Sequence, residues 1–308
     1  MNKEGPVLIA EIGATNARVD LVQDKYTKHN QVNYLINDFD SIESLIKNYL
    51  EKTGVSAKRA IIGVAAPILE DTVEFININL KFSQNSLRKK FFKEQLLLLN
   101  DLELQAYAID SLKEEDVLQI GDPKKELSGS KILVSPGTGL GLSGIVEGKV
   151  KPTEAGHLNI PGNLPRISSL VKNFELENKR IPTFEDLLSG KGLNYIYSFL
   201  KKNSSNPLTN EEILLELKDP NCLETKKIML YLLATFLKYM ALIWGATGGV
   251  YISGSMVNQL MKDIDLKEFR ESFEDSETMQ VLLENTPVFL VLDPNLGLRG
   301  ARKLALNT

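Results

Sequence analysis

VLIAEIGATNARVDLV, residues 7–22, and KILVSPGTGLGLSGIV, residues 131–146, share one plan. Each is an apolar run, a loop of glycine and threonine, and a second apolar run. Val7–Ile12 and Ala17–Gln23 flank Gly13-Ala14-Thr15-Asn16, while Lys131–Ser135 and Leu142–Val146 flank the second loop. Short apolar runs joined by turn residues predict β-hairpins. The two copies start 124 positions apart, about one domain's length.

Around these hairpins, strands and helices alternate. Asp40–Leu50 has apolar residues at helical spacing and meets Gly54 where a C-cap is expected. Ala60–Ala65 and Leu96–Leu99 read as buried strands, and Leu102–Leu112 as a helix. Glycine, proline and serine cluster at 121–130, so a domain joint is expected near 110–130. Beyond it, helical patterns cover Ile167–Asn178, Phe184–Ser189, Tyr195–Lys202, Glu211–Leu217 and Thr225–Trp244; Val250–Ser253 and Val288–Leu292 read as strands. Such alternation predicts an α/β protein with helices on the faces of parallel or mixed sheets.

Composition narrows the function classes. A length of 308 residues predicts about two domains. With 36 basic and 40 acidic side chains, the net charge of −4 offers no footprint for nucleic acid. The single Cys222 excludes a disulfide framework, a zinc knuckle and a CxxC pair within the chain. One stretch, Met229–Ile252, is long enough to span a membrane. Lys238 near its centre and Gly245, Gly248 and Gly249 favour a buried helix followed by a buried strand. The apolar run at Val7–Ala10 stops at Glu11, too short for a signal-peptide core. A cytoplasmic protein with no membrane partner is expected.

Gly139–Gly144 matches GxGxxG after a strand, but a dinucleotide fold needs a helix next. Ile145–Val150 instead reads as a hairpin turning at Glu147-Gly148, and no GxxxxGK[ST] run occurs anywhere. A glycine turn between strands can still cradle phosphate through its backbone N–H groups. Thr15 and Thr138 would add hydroxyls; two tight hairpins without ligand fit the same residues.

Three polar clusters carry candidate chemistry. Asn100-Asp101 follows Leu96–Leu99, at the strand edge where α/β sheets bind ligands. Asp101 there suits a general base; equally, Asn100 with Glu103 suits a capping box. Glu154-Ala155-Gly156-His157 holds one of only two histidines between Pro152 and Pro161-Gly162. Glu185 sits in a second capping pattern, Thr183 to Asp186, where an acid also suits the helix dipole.

Taken in order along the chain, these pieces resemble the bacterial glucokinases of the actin-like fold, distinct from the ROK kinases with their cysteine-rich zinc motif. The matching residues are Ile12–Arg18, Asn100-Asp101, Pro136–Gly141, Glu154–His157, Leu188–Leu193 and Gly248–Gly254. The resemblance implies a two-lobed α/β actin-like ATPase (ribonuclease H-like) fold with an interdomain cleft. It implies a smaller lobe of residues 1–110 plus 294–308 and a larger lobe of 111–293. It also implies transfer of the γ-phosphate of ATP, with Mg²⁺, to the 6-hydroxyl of glucose, the first step of glycolysis.

On that resemblance Asp101 is the catalytic base, and Asn100, Glu154, His157 and Glu185 hold the sugar. Glu11, Gly13, Ala14, Thr15, Asn16, Gly137, Thr138, Gly139, Gly254 and Ser255 line the nucleotide and its phosphates, and no side chain is assigned to a metal. A homodimer is implied too, with no interface marked in the sequence. The family usually has aspartate at Glu11, glycine at Ala14 and Ser255, and Thr-Asn-His-x-Trp where this chain has Ile76-Asn77-Ile78-Asn79-Leu80. The first three departures motivate the alternative of a sugar-binding or regulatory protein with weak nucleotide use.

Overall fold

The computed structural model describes residues 5–25, 30–68, 70–75, 78, 80–123, 128–201, 208–262 and 264–307. His29 lies outside the described residues, as do Ile76, Asn77 and Asn79 of the stretch compared with Thr-Asn-His-x-Trp. The chain divides into two compact units, Met1–Leu112 with Asn295–Thr308, and Lys113–Pro294.

The first unit is built on the opening hairpin, β1 (Val7–Ile12) and β2 (Asn16–Val22). It continues through β3 (Val32–Leu35), α1 (Ile42–Thr53), β4 (Arg59–Val64), β5 (Thr72–Glu74) and β6 (Lys81–Ser83). Then come α2 (Gln84–Lys90), β7 (Gln95–Asn100) and α3 (Asp101–Ala106). The main sheet has the order β3-β2-β1-β4-β7. Its hairpin strands pair antiparallel, Val7 against Val22 through Ile12 against Ala17, while β4 and β7 add in parallel.

Alternation along β1 decides which side chains meet which helix. Leu8, Ala10 and Ile12 face the cluster that includes Leu45, Ile46 and the fully buried Tyr49 of α1. Val7 and Ile9 face the other way, onto Leu104 of α3 and onto Leu298 and Ala301 further along the chain. Ser41 caps α1 with Ser44 in a reciprocal box, and Gly54 ends it at φ 67°, as the glycine predicted.

The second unit repeats the plan. Its elements are β8 (Val117–Ile120), β9 (Lys131–Pro136), β10 (Leu140–Val146), β11 (Lys149–Thr153), α4 (Ser168–Asn178), α5 (Phe184–Leu187), α6 (Gly190–Lys201) and α7 (Asn210–Leu215). After them run α8 (Pro220–Trp244), β12 (Gly249–Ile252), α9 (Ser255–Met261), α10 (Lys267–Glu274), α11 (Gln280–Glu284) and β13 (Val288–Val291). Helix α12 (Leu296–Asn307) returns to the first unit and packs on β1.

The order β11-β10-β9-β12-β13 matches that of the first sheet, with the same antiparallel hairpin and parallel additions; β8 adds an antiparallel edge. The echo read between the two glycine hairpins is therefore an echo of whole sheets. The turn at Glu147 and Gly148 has positive φ at both residues, the geometry that suits a two-residue hairpin. No helix follows Gly144, so the dinucleotide reading fails in three dimensions as it did in sequence.

Helix α8 is long and apolar enough to cross a membrane, yet Met229, Leu232, Leu233, Phe236, Leu237 and Met240 are buried in the core of its own unit. Lys238 Nζ donates to the carbonyl of Asp275 at 2.8 Å. The apolar character of this stretch thus serves packing.

Several expectations shift at element ends. The helix expected over Leu102–Leu112 stops at Ala106, and a 3₁₀ turn at Ile109–Ser111 carries the apolar spacing onward. Leu97–Leu99 are half-buried because β7 is the outer strand of its sheet. The helix expected from Tyr195 begins at Gly190. Glycine disfavours helix interiors, but a Cβ at Gly192 would lie 2.4 Å from the Leu187 carbonyl carbon, so close packing demands it.

Gly300 makes the same demand on α12, where a Cβ would lie 1.9 Å from the Leu104 carbonyl oxygen. Alanine gains about 1 kcal/mol in helix propensity over glycine, whereas forcing two backbones apart costs roughly 1–3 kcal/mol or more. Gly300→Ala is expected to destabilise the protein by about 2 kcal/mol, read from denaturant unfolding. A neutral or stabilising result would mean that α12 and α3 are not in contact.

Candidate active site

In the first unit, Asp101 is the first residue of α3, directly beyond the carboxyl end of β7. Asn100 is the N-cap, and its Oδ1 accepts from Leu102 N at 3.0 Å. The acceptor side of a capping box would take the Glu103 N–H, so the capping-box reading is corrected to a cap on the second helical residue. Asn100 Nδ2 makes no hydrogen bond among the described residues.

Asp101 Oδ1 accepts from Leu102 N at 2.9 Å, and the side chain is half-buried. Burial first, and the negative charge of Glu11 second, lift its pKa from 3.8 to about 6; its bonds to backbone N–H groups pull the other way. A carboxylate tuned toward neutrality at a strand edge suits proton abstraction near physiological pH.

Glu11 lies on β1 two residues before the first turn, its side chain 12% exposed. Arg18 Nη1 donates to its Oε2 at 3.1 Å and Gln105 Nε2 to its Oε1 at 3.0 Å. A Cβ at Gly297 would sit 2.4 Å from its Cδ, so the longer acid is accommodated by a glycine of α12. The turn itself is tied by Gly13 N to the carbonyl of Asn16 at 2.9 Å. Thr15 is exposed there beside Ala14, and its carbonyl accepts from Ile36 N at 2.9 Å.

In the second unit, the three sugar candidates come together. His157 Nε2 is 3.7 Å from Glu154 Oε2, and its Nδ1 is 3.9 Å from Glu185 Oε1. A 3₁₀ turn at Ala155–His157 presents the first pair, and a Cβ at Gly156 would meet the Leu140 carbonyl at 2.2 Å. Glu185, in the first turn of α5, accepts from Leu140 N at 2.9 Å. Thr183 and Asp186 form the capping box that the sequence predicted. A Cβ at Gly139 would lie 2.6 Å from Glu185 Oε2, so this glycine is what admits the carboxylate to the turn.

That turn, Gly137–Gly139, is closed by Gly137 N donating to the carbonyl of Gly139 at 2.8 Å. Nothing lies within 4 Å of where a Gly137 Cβ would be, and its φ is not in the left-handed region. Neither packing nor backbone conformation requires this glycine; open space over a bare backbone is what a phosphate needs. Gly254 does need to be glycine, at φ 115° with Ser135 Oγ and the Pro136 carbonyl 3.2 Å from its Cβ position.

A cavity of about 630 Å³ opens beside the turn, lined by Gly137, Thr138, Lys191, Asn210, Leu215 and Ser255 among others. Asn210 was not singled out from the sequence, because no local pattern ties α7 to a turn some 70 positions earlier. Gln105 was missed too, although it stands one helical turn after Asp101.

Duplicated hairpin-led sheets with a polar turn in each are the architecture of the actin-like ATPase fold. Residues 8–308 match the family model described as Glucokinase. A glucokinase of Rhizobium etli is 30% identical over 97% of this chain and 91% of its own length. One from Neisseria meningitidis is 31% identical over 96% and 93%. The crystal structure of a glucokinase from an Antarctic psychrotroph superposes with a TM-score of 0.83 at 25% identity, covering 99% of this chain and all of that one. The chain belongs to the glucokinase family, whose reaction is the ATP-dependent phosphorylation of glucose.

Proposed function

We propose that this enzyme transfers the γ-phosphate of ATP to the 6-hydroxyl of glucose with Asp101 as the general base, giving glucose 6-phosphate and ADP. The observation that carries the assignment is the half-buried Asp101 carboxyl, its pKa lifted to about 6 at the end of β7. Asp101 takes the proton of the hydroxyl as its oxygen bonds to the γ-phosphorus. The bond from that phosphorus to the bridging oxygen breaks, and ADP leaves with the electron pair.

Glu154, His157 and Glu185 accept or donate to the ring hydroxyls, with Asn100 Nδ2 as a further donor. Carboxylates and amides left without partners in the absence of sugar are what make such a site selective. Thr15 with Gly13 and Asn16, and Thr138 with Gly137 and Gly139, bind phosphate oxygens. The cavity beside Ser255 takes the nucleoside.

Bound together with the nucleotide, Mg²⁺ would neutralise phosphate charge. Such an ion commonly binds one or two carboxylates together with phosphates and waters, and the Glu11 carboxylate would supply an oxygen donor of that kind. The reading extends to a cytoplasmic enzyme at the entry of glycolysis, acting without nucleic acid or membrane. It extends also to a homodimer, which light scattering checks directly.

A coupled ADP-release assay over a panel of hexoses tests the reaction. Glucose is expected to give the highest kcat/KM and 6-deoxyglucose to bind without turnover. Glucose binding with no ADP release from any hexose would instead establish a sugar-binding protein, the alternative that Glu11, Ala14 and Ser255 motivated.

A further inference from the structure

Lys191 stands in the first turn of α6, where a cation opposes the positive end of the helix dipole. Such a placement is unfavourable until an anion sits nearby. Lys191 makes no ion pair or hydrogen bond among the described residues, and its side chain is exposed. It lines the 630 Å³ cavity together with Gly137 and Thr138 of the phosphate turn. Its position is fixed, since Gly190 N donates to the Gly137 carbonyl at 2.8 Å, and Ser189 Oγ accepts from Gly192 N at 3.3 Å.

We propose that Lys191 is a positioning residue for the nucleotide, its ammonium group pairing with the phosphate chain of ATP at the Gly137–Thr138 turn. The assignment rests on the nucleotide reading of this cavity. It supplies a counter-charge that the turn, made of backbone and hydroxyl donors, does not. The other charged group of the lining, Glu211 of α7, repels phosphate, which leaves the chain on the Lys191 and Thr138 side. A bound polyphosphate converts the unfavourable lysine–dipole contact into two attractive ones, lysine to anion and helix to anion.

The test compares wild type, Lys191→Ala and Lys191→Arg in steady-state kinetics and in calorimetric titrations with ATP, ADP and adenosine. A charge-assisted contact to phosphate corresponds to about tenfold in affinity. K191A is expected to raise KM for ATP about tenfold, with KM for glucose and kcat changed less than about twofold. ATP and ADP are expected to bind correspondingly more weakly while adenosine binds as before, and K191R to restore most of the loss. A K191A enzyme with wild-type ATP affinity overturns the lysine assignment alone. A K191A defect that extends equally to adenosine or glucose, or that K191R fails to rescue, overturns it in favour of a structural role. A wild type that binds no nucleotide overturns the cavity reading, and the lysine assignment with it.

Discussion

Asp101→Asn is expected to lower glucose-dependent ADP formation by roughly 10²–10⁴, while glucose binding is retained and thermal stability rises. The loss follows from removing the proton acceptor. Asparagine has the same shape, and its Oδ1 still accepts from Leu102 N, so the start of α3 is preserved. The gain in stability follows from the direction of the pKa shift. The folded protein holds the Asp101 proton up to about pH 6, whereas the unfolded chain releases it near 3.8. Stability from this group is therefore full below about pH 4 and is lost as pH rises through about 6. At neutral pH the ionised side chain costs on the order of 2 kcal/mol, allowing for the solvent that reaches a half-buried carboxylate. Removing that charge is expected to raise the melting temperature by a few degrees. A variant that loses activity and also melts earlier would mean that Asp101 supports the fold instead.

Glu185→Ala is expected to raise KM for glucose by about 100-fold, with a smaller effect on KM for ATP. Loss of a charged hydrogen-bonding partner costs about 1.5–3 kcal/mol, and here one deletion has several consequences. Leu140 N loses its acceptor, His157 loses one of its two carboxylate neighbours, and the sugar loses a direct contact. Gly139→Ala is a useful companion, because its methyl group would displace the Glu185 carboxylate while leaving it in the protein. It is expected to reproduce much of the glucose defect. Glucose titrations of both variants check the assignment. An unchanged glucose affinity in E185A would remove Glu185 from the sugar site.

The parts of the fold that were legible in sequence are the local ones. Both glycine hairpins could be read because apolar strands and their turn residues are adjacent in the chain. Helix α1 could be read because its apolar spacing and the Gly54 that ends it are close together in the chain. The short strands β3 and β8 were missed, since their exposed edges carry polar residues such as Asn33 and Gln119 with little apolar contrast. The expected helices left residues 190–194 uncovered, whereas Gly190 and Gly192 let the start of α6 lie against Leu187 and Asn210.

The site shows the same division. The Asn100-Asp101 spacing allowed a base or a cap with equal force, and the structure has Asn100 capping while the Asp101 pKa is raised. What distinguishes the two residues is the burial of the Asp101 carboxyl and the charge of Glu11, which lies on β1 some 90 positions away. The bond from Leu140 N to Glu185 and the clearance at Gly139 likewise depend on packing between α5 and the second hairpin. Sequence spacing carries neither. The resemblance to glucokinases brought these residues together before their geometry did.

The role of Asp101 is tested most directly by the pH dependence of kcat/KM for glucose at saturating ATP. The profile is expected to fall on the acid side with unit slope below about pH 6, as one carboxyl takes up its proton. Glu11→Gln is expected to move that limb to lower pH, but only in part, since burial is the larger cause of the shift. A wild-type profile that stays flat from pH 5 to pH 8 would contradict the assignment of Asp101 as the base.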